Sequence, residues 1–464
     1  MTLIKSISGI RGTIGGQVGE NLTPIDAVKF AAAYGTWIKQ QRDKKDYKVV
    51  VGRDARISGK MIQDLVMNTL VGMGIHVVDI GLSTTPTVEV AVPMEHADGG
   101  IILTASHNPK QWNALKLLNA KGEFLDGVEG AKILDIAESG TIDFADVDSL
   151  GKITKNKAYI DLHIIEVLDL PLVTVSPIEE ARFKVVVDGV NSTGGWAIPL
   201  LLERLGVEVV KLYCEPNGHF PHNPEPLKEH LSELSKRVVE ERADFGIVVD
   251  PDVDRLAFVD ENGEMFGEEY TLVACADYVL SKTPGNTVSN MSSTRALRDV
   301  TEKYGGTYEA SAVGEVNVVK LMKQNKVVIG GEGNGGIIYP DAHYGRDALV
   351  GVALFLSLLA EKDMKVSELR KTYPDYYMSK KKIELTPGLD VDAILKSIEE
   401  RYQNEQLSTI DGVKIDFAES WVHLRKSNTE PIVRIYTEAK SQILADELAD
   451  KFIEEIGEIA GINV

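Results

Sequence analysis

Residues Gly99 to Asn119 read GGIILTASHNPKQWNALKLLN. Ile101, Ile102 and Leu103 are too few for a helix and rich in β-branched side chains, so they read as a core strand that delivers Thr104 to Pro109 to its C-terminal end. In open α/β sheets that end is where ligands bind. At the centre of the polar loop is Ser106, whose hydroxyl is a poor nucleophile until a base, a metal or a phosphoryl load activates it. His107, Asn108 and Lys116 stand nearby. Taken alone, Ser-His-Asn-Pro reads more readily as a capped turn, because Ser and Asn cap helices and Pro follows turns.

On either side the pattern alternates between helix and strand. Ile4 to Gly16 reads as a strand and a tight loop carrying Arg11. Thr23 to Gln41 has helical spacing of Ala27, Phe30, Ala31, Tyr34, Trp37 and Ile38, with Thr23 as cap and Pro24 in the first turn. Lys48 to Val51 is a strand that ends in Gly52-Arg53-Asp54-Ala55-Arg56-Ile57-Ser58-Gly59, for which a structural Arg53–Asp54 ion pair is the plainer alternative. A second unit holds strands at Lys184 to Val187 and Phe245 to Val249. A third holds helices at Thr271 to Leu280, Ser293 to Tyr304 and Arg346 to Glu361 and a strand at Lys326 to Ile329. After Tyr373-Pro374 the texture becomes that of a small α+β domain. The expectation is three successive similar α/β domains, 1–155, 156–257 and 258–372, followed by a C-terminal α+β domain, 373–464.

The 464 residues suffice for sizeable cores, and 50 Lys+Arg against 70 Asp+Glu give a formal charge of −20. That balance argues against a nucleic-acid or anionic-membrane binder, so any phosphate site must be a local basic enclave. Cys214 and Cys275 are far apart and lack metal-type spacing, which fits a reducing compartment. With no secretory h-region and no apolar run near the roughly 18 residues of a membrane span, a cytoplasmic protein is expected.

Three further stretches carry chemistry. Asp250-Pro251-Asp252-Val253-Asp254-Arg255 follows a strand and reads as an extended loop projecting three carboxylates to one side, an oxygen-only donor set suited to Mg²⁺ or Ca²⁺. An EF-hand fails because Arg255 occupies the glycine position and strands flank the loop. Gly331-Glu332-Gly333-Asn334-Gly335-Gly336 formally satisfies the dinucleotide fingerprint, yet Ile337 to Pro340 looks extended where a Rossmann loop opens into a helix. Arg425-Lys426-Ser427-Asn428-Thr429-Glu430-Pro431, with Arg434 beyond, concentrates cations, hydroxyls and an amide, a composition that cradles phosphate; a solvated hairpin turn is the plainer alternative.

The hexapeptide Thr-Ala-Ser-His-Asn-Pro resembles the active-site loop of the α-D-phosphohexomutases, and the Asp250, Glu332 and Arg425 stretches resemble that family's metal, sugar and phosphate loops in the family's order. The resemblance implies four domains around a central cleft and a phosphoserine at Ser106. It implies Mg²⁺ held by Asp250, Asp252, Asp254 and the Ser106 phosphate, and a hexose 1,6-bisphosphate as intermediate and activator. Arg11 and Arg255 would face the phosphoryl group, and Lys116 would be the acid/base with His107 assisting. Glu332 and Asn334 would bind sugar hydroxyls; Arg425, Ser427, Asn428, Thr429 and Arg434 would hold the non-reacting phosphate. Asn334 and Gly336 depart from the usual serine and histidine, which leaves open whether His343 replaces the imidazole. Within the family the chain looks most like the phosphoglucosamine mutases, so a small-molecule hexose phosphate is the expected partner. A nicotinamide oxidoreductase and a silent phosphosugar-binding protein are the alternatives.

Overall fold

The computed structural model describes residues 2–6, 9–384, 390–426 and 432–461. Four sheets follow one another along the chain. The first has the strand order Ile4–Ser6, Gly9–Thr13, Trp112–Leu118, Gly99–Leu103, Tyr47–Arg53, Ile75–Leu82, Ile153–Lys155. Its right half is parallel, and Trp112–Leu118 runs antiparallel to Gly99–Leu103. The second orders Leu256–Asp260, Phe245–Val249, Lys184–Asp188 and Glu208–Leu212; the third orders Tyr308–Ser311, Thr287–Asn290, Ile329–Glu332 and Gly336–Ile338. The fourth is wholly antiparallel, from Tyr377–Glu384 to Gln406–Ser408. Its core is completed by the helices Val391–Arg401 and Gln442–Ala460.

The three α/β units share one grammar, which no sequence period revealed. In each, a buried parallel strand reaches a loop and returns as an antiparallel neighbour. Gly99–Leu103 returns as Trp112–Leu118, Phe245–Val249 as Leu256–Asp260, and Ile329–Glu332 as Gly336–Ile338. The serine, aspartate and glycine loops are therefore equivalent turns of three related sheets. The second sheet runs on to Asp260, past the expected boundary at 257, because Leu256–Asp260 pairs along its whole length with Phe245–Val249.

Two expectations are corrected here. The third unit's strand is Ile329–Glu332, not Lys326 to Ile329, so Gly330 and Gly331 are strand residues. A Cβ on Gly330 would lie 2.6 Å from the Val288 carbonyl oxygen and 2.8 Å from Met322 Sδ, and such close approach is what a strand glycine permits. The aspartate loop is not extended: Asp250 accepts the Val253 N–H at 3.1 Å, and Val253 takes φ +64°. Left-handed backbone at a β-branched residue costs roughly 1–3 kcal/mol, and burial of Val253 in the shared core holds it there.

The helix Pro24–Gln41 starts as expected, with Thr23 and Asp26 forming a capping box. The helix Ala348–Lys362, capped by Asp347, is apolar on all sides from Ala348 to Leu359, apart from Ser357, and all of that stretch is buried. It belongs to a core shared by the second and third units, where Phe355 stacks on Phe258 at 3.8 Å. Among the described residues no helix is long and apolar enough to cross a membrane.

His423 ties the fourth unit to the third. It is 1% exposed, and its Nε2–H donates to the Asp411 carbonyl at 2.7 Å, which leaves Nδ1 to accept from Ser292 Oγ at 2.9 Å. Burial is the main reason its pKa falls to about 4. Between that value and the unfolded value of about 6.5 the unfolded chain holds a proton that the native ring refuses. Stability from this group is full above pH 6.5 and is lost as pH falls toward 4, by about 1–3 kcal/mol. Urea midpoints measured from pH 7 to 4.5 are expected to fall less steeply in His423→Gln than in the unsubstituted protein; parallel slopes would contradict the assignment.

Candidate functional site

Ser106 sits at the turn after Gly99–Leu103 with φ +48°. Its N–H donates to Thr104 Oγ1 at 3.0 Å, and its Oγ donates to Asp250 Oδ2 at 2.7 Å and lies 3.3 Å from His107 Nδ1. Asp250 brings with it the rest of the second unit's loop: Asp252 and Asp254, which like Asp250 are fully buried, and Arg255. Arg11 reaches the loop from Gly9–Thr13, donating to Asn108 Oδ1 at 3.2 Å. Burial, with the nearby charge of Arg255, lowers its pKa.

The loop is held from beneath by Arg56, which is 1% exposed. Its Nε pairs with Asp54 Oδ2 at 2.9 Å, and its guanidinium donates to the carbonyls of Ser106, Asn108, Pro109 and Trp112. Asp54 in turn accepts from Thr104 Oγ1 at 2.7 Å. The plainer alternative, an Arg53–Asp54 carboxylate pair, gives way to Arg56–Asp54; Arg53 instead donates to Gln63 and to the Asp54 carbonyl. A fork of fixed donors suits this carbonyl clamp better than a lysine would.

Three carboxylates within 4.8 Å of one another need cations. Lys116 Nζ lies 2.7 Å from Asp252 Oδ2 and 3.3 Å from Asp254 Oδ2, and Arg346 Nη2 lies 2.7 Å from Asp254 Oδ2. Burial, then Asp254 and Asp252, push Asp250 well above the usual carboxylate range. Burial works the same way on Asp254, but Arg346 and Lys116 outweigh it and hold that carboxyl low. Burial would also lower Lys116, and the facing Asp252 and Asp254 instead hold it above its ordinary value. His107 is pushed down to about 2, first by burial and then by Arg255, so its ring is neutral. Asp252 Oδ1 and Asp254 Oδ1 are buried without a hydrogen-bond partner. Orphaned hard oxygens beside a serine hydroxyl fit a dication of the Mg²⁺ kind, so the donor set can hold a metal.

The glycine loop is the turn of a hairpin, which removes the dinucleotide reading: Gly336–Ile338 pairs antiparallel with Ile329–Glu332 and no helix follows the glycines directly. Gly335 takes φ +85°, and a Cβ there would lie 2.2 Å from the Leu256 carbonyl oxygen. The loop thus docks on the strand that leaves the aspartate loop. Glu332 Oε1 accepts from Asn290 Nδ2 at 2.8 Å, and Oε2 accepts from Arg346 Nη1 at 3.0 Å. Arg346 also pairs with Glu315 at 3.1 Å, so one buried guanidinium joins three carboxylates from two units. A Cβ on Gly336 would fall 2.3 Å from Arg346 Cδ, so the glycine in the usual histidine position leaves the path of Arg346 open. His343 does not supply that imidazole; it is held by Asp347 and Glu89 in a separate cluster.

Asn334 Oδ1 is buried without a partner. Asn334 and Arg255 line a cavity of about 190 Å³ with Glu225, Glu268, Lys380 and Tyr436, so all the units beyond the first contribute to it. Arg255 is aimed by Glu225 at 3.0 Å. Lys380, Tyr436 and Arg346 were missed in the sequence. Arg425 and Arg434 lie opposite each other on paired strands, and Arg434 falls two residues before Tyr436, hence on the same face of the sheet. Arg425 pairs with Asp411 at 2.9 Å. Ser427, Asn428 and Thr429 lie outside the described residues.

Known proteins share this arrangement of four units. The chain matches the family models for phosphoglucomutase/phosphomannomutase, with α/β/α domain I over residues 3–142, domain II over 158–263, domain III over 267–377 and the C-terminal domain over 379–455. It belongs to that family and is an intramolecular phosphotransferase of the phosphohexomutase type. It is 37% identical to a phosphoglucomutase/phosphomannomutase of Thermococcus kodakarensis, over 96% of this chain and 98% of the relative. It is 33% identical to a protein of Methanopyrus kandleri named probable phosphoglucosamine mutase, over 96% of each. A phosphoglucomutase/phosphomannomutase family protein of Burkholderia thailandensis superposes with a TM-score of 0.85 at 25% identity, covering 100% of this chain and 99% of that one.

Proposed function

We propose that Ser106 carries a phosphoryl group that it lends to a hexose monophosphate and recovers from the bisphosphorylated sugar, so that phosphate moves between C6 and C1. The observation that carries this reading is the Ser106 hydroxyl, 2.7 Å from Asp250 in a buried three-carboxylate cluster, with Arg255 beside Asp250 and Arg11 on Asn108 of the serine loop. Phosphoryl transfer asks chiefly for positioning and charge neutralisation. Asp250, Asp252 and Asp254 would hold Mg²⁺ with the Ser106 phosphate, and the ion would neutralise charge on the transferring group.

In the forward half, the bond between phosphorus and Ser106 Oγ breaks as a sugar hydroxyl oxygen bonds to phosphorus, and the hydroxyl proton needs an acceptor. Lys116 is an ammonium tied to two carboxylates, which suits a counter-charge or an acid. His107 is neutral and 3.3 Å from Oγ, but the burial and the Arg255 charge that keep it neutral also make it a weak base, so it orients the hydroxyl while Lys116 keeps the acid/base role that the resemblance implies. In the return half, the other phosphate passes to Ser106 and the proton goes back.

The non-reacting phosphate would be held by Arg425 and Arg434. Because it is held alike in ground and transition states, Arg425→Ala is expected to raise KM about tenfold or more with a smaller change in kcat. A loss confined to kcat would contradict the role.

For the sugar, glucosamine 6-phosphate to glucosamine 1-phosphate is the proposed direction of use. Glucose and mannose phosphates, in keeping with the name of the Thermococcus relative, are the second reading. Asn334 lines the cavity and carries both a donor and an acceptor, so turned toward the sugar it can meet an amino group at C2. Side-by-side assays with a bisphosphate activator are expected to rank kcat/KM as glucosamine, glucose, then mannose phosphate. A clear mannose preference would reject the glucosamine reading and leave the phosphoserine chemistry standing.

A further inference from the structure

A second constellation lies away from the serine, where three units meet. His163 comes from the helix Tyr159–Leu168, Glu89 and Thr87 from the helix Thr85–Met94, and His343 and Asp347 from the segment leading into Ala348–Lys362. His163 and Asp347 are 1% exposed and Glu89 is 2% exposed. Both imidazoles aim Nε2 at the same oxygen, Asp347 Oδ2, His163 at 2.9 Å and His343 at 3.1 Å. Their other nitrogens are both engaged: His163 Nδ1 lies 3.0 Å from Thr87 Oγ1, and His343 Nδ1 lies 3.3 Å from Glu89 Oε2.

We propose that His163, His343 and Asp347 bind one divalent transition-metal ion of the zinc class, with Glu89 and Thr87 orienting the two imidazoles. Metal-bound histidines characteristically turn the second ring nitrogen to a carboxylate or another oxygen, and here both do. Ligand atoms about 3.3 Å apart are what tetrahedral bonds of about 2.0 Å produce, and the three donors lie within 4.8 Å of one another. Two imidazole nitrogens select a borderline-soft ion over Mg²⁺, so the site is chemically distinct from the aspartate triad.

Charge points the same way. Glu89 is buried with His343 Nδ1, 3.3 Å from Oε2, as its ion-pair partner, and Gly345 stands where a Cβ would fall 1.8 Å from that oxygen. The pocket therefore gathers two acidic side chains, Glu89 and Asp347, around two imidazoles, a lining that favours a cation. Asp347 is fixed for the task, because its other oxygen caps Leu349 and Val350. The ion would brace the aspartate loop from two sides. Thr85 donates to Asp252 through its N–H at 2.8 Å and its hydroxyl, and the Ala348 N–H donates to the Val253 carbonyl at 3.2 Å.

The test is a Co²⁺ titration of metal-free, full-length protein in excess Mg²⁺, read by visible ligand-field absorption and by metal content. One bound equivalent is expected, retained in Asp252→Asn and weakened by at least about 100-fold in His163→Gln and in His343→Gln. X-ray absorption of the Zn²⁺-loaded unsubstituted protein should show two imidazole nitrogens at about 2.0 Å, a result independent of whether the variants fold. No Co²⁺ bound against Mg²⁺, loss of binding in Asp252→Asn, full affinity in both histidine variants, or a shell of oxygens alone would each overturn the proposal.

Discussion

Ser106→Ala is expected to lower kcat by at least about 10³-fold while the protein remains folded. The substitution removes one oxygen. Asp250 loses the donor at Oδ2 but keeps the backbone N–H groups of Asp254 and Arg255 on Oδ1, each at 3.1 Å, so the loss of a single hydrogen bond should cost about 1–3 kcal/mol. Alanine meets nearly the same left-handed backbone penalty as serine, and the Arg56 clamp acts on carbonyls that the substitution leaves in place. Thermal unfolding should therefore shift little while turnover collapses. Activity above about a tenth of the original would remove Ser106 from the chemistry.

The largest effect on stability is expected at Arg346. Arg346→Met keeps the volume and the apolar stem but strands Asp254, Glu315 and Glu332, all 9% exposed or less. Removing one partner from a buried ion network costs about 3–5 kcal/mol, because the remaining charges lose compensation that water cannot restore. Arg346→Lys should recover only part of this, since an ammonium cannot meet three carboxylates in three directions. Urea unfolding of the three proteins checks the order. A loss under about 1 kcal/mol for the methionine variant would mean that the network contributes little.

The chain shows its chemistry locally and its support at long range. Thr104 to Pro109 and Asp250 to Arg255 were legible because each follows a short apolar strand, and the fold does place both at strand ends. The curvature of the aspartate loop was not legible, since nothing in Val253 advertises a positive φ. The carbonyl clamp of Arg56 and the ion network of Arg346 were not legible because those partners lie far off in sequence: Arg56 meets Ser106 and Trp112, and Arg346 meets Asp254. No periodicity records such pairs. Gly330 misled the strand assignment for a related reason: its absent side chain answers to Met322 and Val288, which only the folded sheet brings near. Lys380 and Tyr436 sit in ordinary strand patterns, and only the docking of the C-terminal sheet turns them toward the cavity.

Intact-mass and peptide analysis of the protein, taken after turnover with a hexose 1,6-bisphosphate and Mg²⁺, addresses the phosphoserine directly. One phosphoryl group on the peptide carrying Ser106, lost on incubation with a hexose monophosphate and absent from Ser106→Ala, is the predicted result. An active enzyme whose Ser106 peptide never carries phosphate would contradict it.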